Sequence, residues 1–476
     1  MFYIVLFITK VSQILIKIIG RNASYFPGKI AVTLYPDFLK KIDKPKIIIG
    51  VTGTNGKTTV CNLLVNFFEA NNYKVLDNKY GTNVNSGIAS SFIKGVSFFN
   101  KSKYDYAVLE IDERSFPRVL PYIKLDYLIC TNLFRDSIRR NAHSEFIFDI
   151  INNSLNDDIK LILNADDIIS SSLGNKNKKV YFGIDKLDTD LKESINIIND
   201  ARICPKCYEK LTYEYVKYHH IGKAYCPKCG FKSKDANYLI KKIDYDNKEI
   251  TVLSNGKKQK YHLISDSLYN IYNEITIISL LSELNIEENK IEGFLKNCVI
   301  VESRLKEETI NGISVISHMA KGQNAIACSC VFDYVSKKEN KKEVVLMLYD
   351  HFDARASSEN LTWIYDTDFE LLNNPLIEKI IVYGPRAKDF KLRLLLANVD
   401  KSKVSTAKNY NDVINSLSFK KDKDIYILFE LYDEKDATEL RKKIIDKIKG
   451  GKSWKRLKSC TVKCVIFLAI FLTLNT

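Results

Sequence analysis

Short apolar runs alternate along the chain with stretches in which apolar residues recur every three or four positions. Three early runs, 106–111, 127–131 and 160–163, are typical of buried strands. Polar side chains stand where each run ends, namely Glu110 and Asp112, Asn132 and Asp136, and Asn164, Asp166 and Asp167. This rhythm predicts a doubly wound α/β sheet whose ligands gather at the carboxyl ends of the strands.

A second set of apolar runs, 344–348, 379–383 and 425–429, predicts a separate α/β domain later in the chain. We therefore expect a central domain over 41–300 and a C-terminal domain over 301–450. A short N-terminal arm over 1–40 precedes them, and a basic, then apolar tail over 451–476 follows. No internal repeat is apparent.

Both ends of the chain are rich in apolar residues. The opening segment is interrupted by Lys10 and Lys17 and lacks a small-residue cleavage pattern, which predicts an amphipathic helix. Its apolar positions would pack on the next domain or rest at a membrane interface. The apolar run at 464–474 is shorter than the roughly 20 residues of a spanning helix. The basic residues before it suit an interfacial anchor, and a poorly ordered C-terminus is the alternative.

The segment 50–59, Gly-Val-Thr-Gly-Thr-Asn-Gly-Lys-Thr-Thr, lies between an apolar run and a helix-like stretch. Glycines let backbone amides turn onto an anion, Lys57 reaches terminal phosphates, and Thr58 offers a hydroxyl to Mg²⁺. Because Mg²⁺ prefers hard oxygen ligands, Thr58 and Glu110 are the candidate magnesium ligands, with Asp112 or Asp136 behind them. The candidate ATP-binding residues of this loop are Gly53, Thr54, Asn55, Gly56, Lys57, Thr58 and Thr59.

Four of the 11 cysteines form two Cys-x2-Cys pairs that are separated by 18 residues. This spacing predicts a zinc ribbon in which Cys204, Cys207, Cys226 and Cys229 bind one Zn²⁺. Four thiolates fill the coordination sphere, so the site should be structural. His219 and His220, between the pairs, are lesser candidates as ligands. The ribbon would interrupt the central domain at about 200–235.

Composition narrows the class of protein without choosing its partner. The 476 residues, 46% hydrophobic and 27% charged, are typical of a soluble globular protein, and the cysteines do not form a secreted disulfide framework. We therefore expect a cytoplasmic protein. The net charge of +15 suits an anionic partner, and lysines around the ribbon make a nucleic-acid-binding NTPase one alternative. The basic stripe with interleaved aromatics is missing, so no nucleic acid partner is expected.

The loop Gly-Thr-Asn-Gly-Lys-Thr at 53–58 resembles the ATP loop of the Mur ligase family. The segments 110–119 and 131–136, together with the cysteine ribbon, are similar to the MurT-type branch of that family, and the resemblance covers most of residues 25–390. It implies an α/β fold with a Mur ligase-like P-loop doubly wound central domain, an inserted four-cysteine zinc ribbon and a C-terminal α/β domain.

The resemblance also implies an activity. Members of this branch use ATP and Mg²⁺ to amidate the α-carboxylate of D-glutamate in the lipid II stem peptide, through an acyl phosphate, at the inner face of the membrane. Ammonia comes from a GatD-type glutaminase subunit in a heterodimer. Asn270 and Asn273 resemble the family's nucleotide-base contact, and Arg304 resembles its linker arginine. A Mur-like ligase that needs no glutaminase is the rival hypothesis.

The chain departs from the family pattern in its acceptor loop, 348–363. Counting back from Trp363 puts Asn360 where the family has its catalytic aspartate, and an amide cannot act as a general base. Asp353 is the candidate substitute, with Glu359 as the alternative. Lys306 stands where an acidic residue is usual. A paralogue with another carboxylate acceptor, or a weakened enzyme, therefore stays open.

Overall fold

The computed structural model describes residues 1–20, 22–78, 85–135, 143–298, 305–320, 324–348 and 361–450, together with the backbone of 351–352 and 357–358. It divides into two compact units, one ending at Ile300 and the other beginning at Val301. The predicted tail, 451–476, lies outside the described residues.

The first unit is built on a nine-stranded sheet in the order β11-β10-β9-β6-β5-β4-β1-β3-β2. The strands from β2 to β9 in this order pair in parallel, and β10 and β11 extend the sheet antiparallel. Their bounds are β1 Ile47–Thr52, β2 Val75–Asp77, β3 Tyr106–Glu110, β4 Tyr127–Cys130, β5 Lys160–Asn164, β6 Lys179–Ile184, β9 Tyr238–Asp244, β10 Glu249–Ser254 and β11 Lys257–His262. A separate hairpin, β7 Thr212–Tyr218 and β8 Ile221–Tyr225, stands between β6 and β9 in the chain.

Helices cover this sheet, as the α/β pattern predicts. They are α1 Phe2–Ile18, α2 Phe26–Leu34, α3 Phe38–Lys41, α4 Lys57–Ala70, α5 Asn85–Gly95, α6 Phe116–Val119, α7 Ser144–Asn152, α8 Leu268–Glu283 and α9 Glu288–Asn297, with 3₁₀ turns at Glu113–Ser115 and Ser170–Ser172. The helix expected at the start of the chain is α1. Val5 and Leu6 on α1 join the core that Phe92 of α5 and Leu109 of β3 also share.

The second unit has a six-stranded sheet in the order β12-β13-β19-β14-β17-β18, parallel except for the β12–β13 hairpin. Its strands are β12 Leu305–Ile310, β13 Ile313–Met319, β14 Lys341–Met347, β17 Ile377–Tyr383, β18 Val404–Ala407 and β19 Lys423–Phe429, and the short pair β15 His351–Phe352 and β16 Ser357–Ser358 lies apart. Its helices are α10 Ala325–Lys337, α11 Trp363–Asp366, α12 Ala387–Leu396, α13 Tyr410–Ser416 and α14 Glu434–Ile448, with 3₁₀ turns at Phe369–Leu372, Lys401–Lys403 and Leu431–Asp433.

The continuous apolar run of β14 is buried on both faces of this second sheet. Val344 and Leu346 belong to one core cluster, whereas Val345 and Met347 belong to another. Successive side chains of a strand point to opposite faces, so an uninterrupted run is what a strand covered by helices on both sides requires. Each face of this sheet therefore has its own core, and the α/β fold that the apolar runs predicted here is confirmed.

We find no helix, over the stretches that the structure describes, whose length and apolar content would let it cross a bilayer.

Candidate nucleotide site and cysteine cluster

The glycine-rich loop lies between β1 and α4, at the carboxyl end of a central strand. Gly53 and Gly56 have φ angles of 123° and 89°, which side chains rarely tolerate. A Cβ at Gly53 would collide with the Thr131 hydroxyl and with the backbone of Asn132. The loop therefore needs glycine for its conformation and for its close approach to the segment after β4.

Two polar residues after β4 hold this loop in place. The amide of Thr54 donates to the Asn132 carbonyl at 2.9 Å, and the amide of Asn55 donates to Asn132 Oδ1 at 3.0 Å. Asn132 Nδ2 and the Thr131 hydroxyl both donate to the Asn55 carbonyl, at 3.0 and 2.6 Å. Asn132 therefore shapes the loop, a role that its position after a strand is consistent with but does not specify.

Lys57 begins α4 with its ammonium inside the loop. Its Nζ lies 2.8 Å from Glu113 Oε1 and also donates to the Gly53 carbonyl. Glu113 is 4% exposed, so this ion pair is shielded from water. The sequence motifs did not single out Glu113, although an acidic residue shortly after Glu110 was an available signal. In this conformation the Glu113 carboxylate pairs with the Lys57 ammonium, the group that a bound phosphate would otherwise contact.

The two candidate magnesium ligands lie on α4, which starts at this loop, and at the end of β3, which pairs with β1. Thr58 is exposed on the first turn of α4. Glu110 ends β3 opposite Val51 of β1, and its backbone is bracketed by the Asn78 amide group at 2.8 and 2.9 Å. Asp112 Oδ1 accepts from the Arg114 amide at 3.1 Å. Oxygen ligands for a hard cation are thus available at this edge of the sheet.

Helix α8 brings the predicted base-contacting residues to the same loop. A Cβ at Gly56 would collide with the side-chain oxygen of Asn273. Asn273 Nδ2 donates to Asn270 Oδ1 at 3.3 Å, and Asn270 in turn donates to the Ser265 hydroxyl at 3.2 Å. Residues that are far apart in the chain therefore share one site.

The four predicted zinc ligands converge in the structure. Their sulfurs lie within 4.8 Å of one another, with Cys204 and Cys229 Sγ at 3.5 Å and Cys207 and Cys226 Sγ at 3.4 Å. Tetrahedral Zn²⁺ with Zn–S bonds of about 2.3 Å holds its sulfurs about 3.8 Å apart. The donor chemistry and spacing therefore fit one zinc ion, with His219 and His220 in a different role.

The two histidines form the tip of the β7–β8 hairpin, which reaches the candidate nucleotide site. His220 Nε2 lies 3.1 Å from Asp167 Oδ1, and neither side chain is exposed. Asp167 Oδ2 also accepts from the Leu133 amide at 2.7 Å, directly beside Asn132. Phe134, whose amide donates to the Thr54 hydroxyl at 2.9 Å, packs its ring 4.5 Å from that of His220. The ribbon hairpin is thus one residue layer away from the phosphate loop.

The hairpin tip also contacts helix α8. Tyr218 packs against Tyr269 with ring centroids 4.5 Å apart, next to Asn270. Tyr272 donates to Asp166 Oδ2 at 2.7 Å, and burial raises the pKa of the Asp166 carboxyl above its usual value. Gly222 on β8 donates to the Asp166 carbonyl at 2.8 Å. The hairpin therefore joins the elements that carry Asn132 and Asn270.

The buried thiols outside the ribbon are structural. Burial raises the pKa of the Cys61, Cys130 and Cys328 thiols well above the usual range. A nucleophilic cysteine instead needs a lowered pKa and access to substrate. These three side chains therefore act as small apolar core residues.

Several predicted residues lie outside the described part of the chain. They are Arg304, Asp136, Asp353, Glu359 and Asn360. Nearby, Lys306 on β12 pairs with Glu434 at 3.2 Å, and Trp363 is buried at the start of α11. The roles of these residues in binding the nucleotide, the metal ion and the acceptor therefore stay predictions.

Glu274 on α8 is a buried carboxyl that no expected role explains. Its Oε2 accepts from the Ile264 amide at 3.2 Å, and burial raises its pKa to about 8, with the Glu292 charge adding to the shift. Since the unfolded-state pKa is near 4.5, the folded protein keeps a proton that the unfolded chain has released. Folding stability should therefore fall as the pH rises from 4.5 to about 8.

Replacing Glu274 by glutamine should raise the melting temperature most at pH 8 and little at pH 5. At neutral pH the buried carboxyl must either hold a proton or be ionised in an apolar site, and both lower the free energy of unfolding. The neutral amide removes this loss, which is on the order of 1–3 kcal/mol near pH 7. Melting curves across this pH range measure the gap between variant and wild type. The exposed Glu287→Gln is the matched control, and a gap that did not change with pH would contradict the assignment.

Family models match both units. The Mur ligase middle domain matches residues 51–225, which contain the phosphate loop and the first two of the four clustered cysteines, and the MurT ligase C-terminal domain matches residues 322–432. The MurT subunit of lipid II isoglutaminyl synthase from Staphylococcus aureus strain COL is 33% identical over 81% of this chain and 85% of its own length. The chain belongs to the MurT branch of the Mur ligase family. The MurT subunit of Streptococcus pneumoniae strain R6 is 27% identical over 88% of this chain and 92% of its own.

Solved structures agree on the fold. A pseudomurein peptide ligase type C from Methanothermus fervidus superposes with a TM-score of 0.63 at 23% identity, covering 86% of this chain and 81% of its own. The Mur ligase-like α/β fold expected from the sequence is therefore confirmed.

Proposed function

We propose that this protein is the ligase subunit of a lipid II isoglutaminyl synthase. It would use ATP to amidate the α-carboxylate of D-glutamate in the lipid II stem peptide during peptidoglycan synthesis. A GatD-type glutaminase subunit would supply ammonia in a heterodimer. The reaction would take place in the cytoplasm, at the inner face of the membrane.

The proposal is supported by MurT relatives that match most of the chain, together with a glycine-rich loop that places Lys57 at the start of α4. Both curated relatives are named as glutamine-hydrolysing synthase subunits. A polyphosphate would bind to the backbone amides at the start of α4 and to the Lys57 ammonium. The nucleotide base would contact the side-chain amides of Asn270 and Asn273 on α8. Mg²⁺ held by Thr58 and Glu110 would neutralise phosphate charge.

Two displacements make up the proposed reaction. The α-carboxylate oxygen attacks the γ-phosphorus of ATP, so a C–O–P link forms and ADP leaves. Ammonia then attacks the acyl carbon, the C–O bond to phosphate breaks, and one proton is released. Lys57, with Arg304 entering from the linker, would hold the transferring phosphoryl group, and Asp353 would orient the ammonia.

Co-expression with a glutaminase subunit, followed by mass analysis of lipid II, tests the function. We expect the mass change of one carboxyl converted to carboxamide, dependent on ATP and glutamine. Amidation with ammonium salts but not with glutamine would place the defect in the partner. The absence of amidation from both nitrogen sources, with ATP hydrolysis intact, would favour the second candidate, a Mur-like ligase with another carboxylate acceptor, which the altered loop at 353–360 motivates.

We also propose that Cys204, Cys207, Cys226 and Cys229 hold one Zn²⁺. The support is the spacing of their sulfurs and the closure of the coordination sphere by four thiolates, which leaves no position for substrate. The ion would fix the two turns from which the β7–β8 hairpin extends. Its function would then be to hold the hairpin tip against Asp167 and Phe134.

Removing the zinc ligands should weaken nucleotide binding as well as the ribbon. We expect Cys204→Ser/Cys226→Ser to lose its zinc and to bind ATP about 5–150-fold more weakly, the usual range for coupled sites. The reason is that the His220 contact to Asp167 supports the segment that shapes the phosphate loop. Elemental analysis and titration calorimetry measure the two effects.

The control for this prediction is Cys298→Ser, which makes the same chemical change at a half-buried thiol outside the cluster. It should keep zinc and ATP affinity. His220→Phe keeps the ring but removes the contact to Asp167, so it should weaken ATP binding while zinc stays bound. Wild-type ATP affinity in a zinc-free ribbon variant would refute the coupling.

A further inference from the structure

Helix α1 presents an apolar face to solvent. The side chains on this face are all exposed and recur at helical spacing, and they are Ile4, Phe7, Ile8, Ile14, Leu15 and Ile18. Phe7 is 59% exposed and Ile18 is 75% exposed. Single exposed apolar residues are ordinary on a protein surface, but a stripe along a whole helix marks an interaction surface.

The buried side of the same helix contains polar residues, which makes the apolar exposure more pronounced. Thr9 is fully buried and donates to the Val5 and Leu6 carbonyls at 2.9 and 3.0 Å. Gln13 is buried and donates to the Ser90 carbonyl at 2.9 Å. A surface helix normally places its polar residues outward. Here the residues that would gain most from burial lie on the outward side.

The turn at 97–101 extends the apolar face. The ring of Phe98 lies 6.0 Å from that of Phe7, and Phe99 beside it is 83% exposed. Lys10 fixes this arrangement, because its ammonium donates to the Val96 carbonyl and lies 5.7 Å from the centre of the Phe98 ring. The stripe and the turn therefore form one surface, which we call the α1 face.

The charge beside the α1 face is mainly positive, although the Asp43 carboxylate accepts from the Ser102 amide at 2.7 Å beside the turn. The first acidic residue of the chain is Asp37, so α1 and α2 contain none. Burial lowers the pKa of Lys10 to about 8, and the nearby charges of Lys103 and Lys17 contribute to the shift. Three ammonium groups thus share this side of the unit. An anionic surface would relieve their mutual repulsion, whereas a neutral apolar partner would not.

We propose that the α1 face is a membrane-docking surface that inserts its apolar side chains into the headgroup region of an anionic bilayer. A helix with exposed aromatic and aliphatic residues, flanked by lysines and free of acidic residues, has the chemistry of an interfacial helix. The proposal rests on the proposed function in one respect, that a lipid-linked substrate is presented at a bilayer. Docking would place the first unit beside that substrate.

Vesicle sedimentation of the full chain tests the proposal. Wild type should sediment with phosphatidylglycerol–phosphatidylethanolamine vesicles, less with phosphatidylcholine, and less at high salt. Phe7→Glu/Leu15→Glu should weaken partition at least about tenfold. Phe99→Glu, on an exposed turn where folding is not at stake, should also weaken it. Phe146→Glu on α7, where the ring is 54% exposed, is the matched control and should bind like wild type.

The outcomes separate the occupants of the face. Vesicle binding that Phe7→Glu/Leu15→Glu retains would overturn the proposal, as would failure of wild type to bind either vesicle. A wild type that self-associates and ignores vesicles, with association lost in the double variant, would assign the face to a second copy and equally overturn it. Amidation of detergent-solubilised lipid II should be unchanged in the double variant. A wild type that binds vesicles but never amidates lipid II would refute the proposed function alone.

Discussion

Lys57→Ala is expected to lower ATP turnover by about 10³-fold, the effect of removing a charged contact to the transferring phosphoryl group. The lysine starts α4 inside a loop whose shape is fixed by Gly53, Gly56 and Asn132. Its ammonium already lies in the loop, where phosphate would replace the Glu113 carboxylate and the Gly53 carbonyl as its partners. The steady-state ATPase rate of the purified variant is the measurement.

Loss of activity must be separated from loss of fold, because Lys57 is half of a shielded ion pair. Its removal leaves the Glu113 carboxylate, 5% exposed at its side chain, without its cationic partner and should lower stability by up to about 3 kcal/mol. Adding Glu113→Gln should restore the melting temperature without restoring turnover. A stable double variant that is still inactive would assign the loss to phosphate binding.

A second lysine provides the matched control. Lys124 pairs with Asp158 at 2.9 Å, but the two side chains are 70% and 73% exposed. Exposed pairs contribute little to stability. Lys124→Ala should therefore keep wild-type turnover and melting temperature. An undiminished ATPase rate in Lys57→Ala would refute the assignment of the loop.

Local patterns predicted much of the fold. The strand, loop and helix around Lys57 follow from an apolar run, φ-permissive glycines and a helix-forming segment, all close together in the chain. The cysteine cluster follows from spacing alone, because two short turns joined by a hairpin bring four thiols together. In the second unit, the apolar run at 344–348 predicted a strand, and it lies on β14.

The features that could not be predicted depend on contacts between residues that are far apart in the chain. The pairing of Lys57 with Glu113 depends on the register of β1 and β3, and the contact of His220 with Asp167 depends on where an inserted hairpin folds back. The outward apolar face of α1 was equally hidden. A helix with apolar residues on both sides can bury either one, and only packing against Phe92 and its neighbours selects the side.

Substitutions in the acceptor loop, 348–363, should change amidation without changing ATP binding. If Asp353 orients ammonia, Asp353→Asn should lower amidation by about 10²–10⁴-fold, the usual contribution of a general acid or base. ATP binding should be unchanged, because the phosphate loop belongs to the other unit. Isoglutamine formation in the presence of a co-expressed glutaminase subunit is the measurement.

Asn360→Asp is the informative partner of this variant, since it restores the acidic residue that the family pattern places there. With Asp353 in the role, a second carboxylate at 360 should be neutral or slightly activating. If no residue of the wild type orients ammonia, Asn360→Asp should raise its slow amidation rate by up to about 10²–10⁴-fold. Asp353 directly follows β15 and is nearer in the chain to the end of β14, which favours it over Glu359, since Glu359 comes after β16. Wild-type amidation by Asp353→Asn would end the hypothesis and leave Glu359→Gln as the next variant to measure.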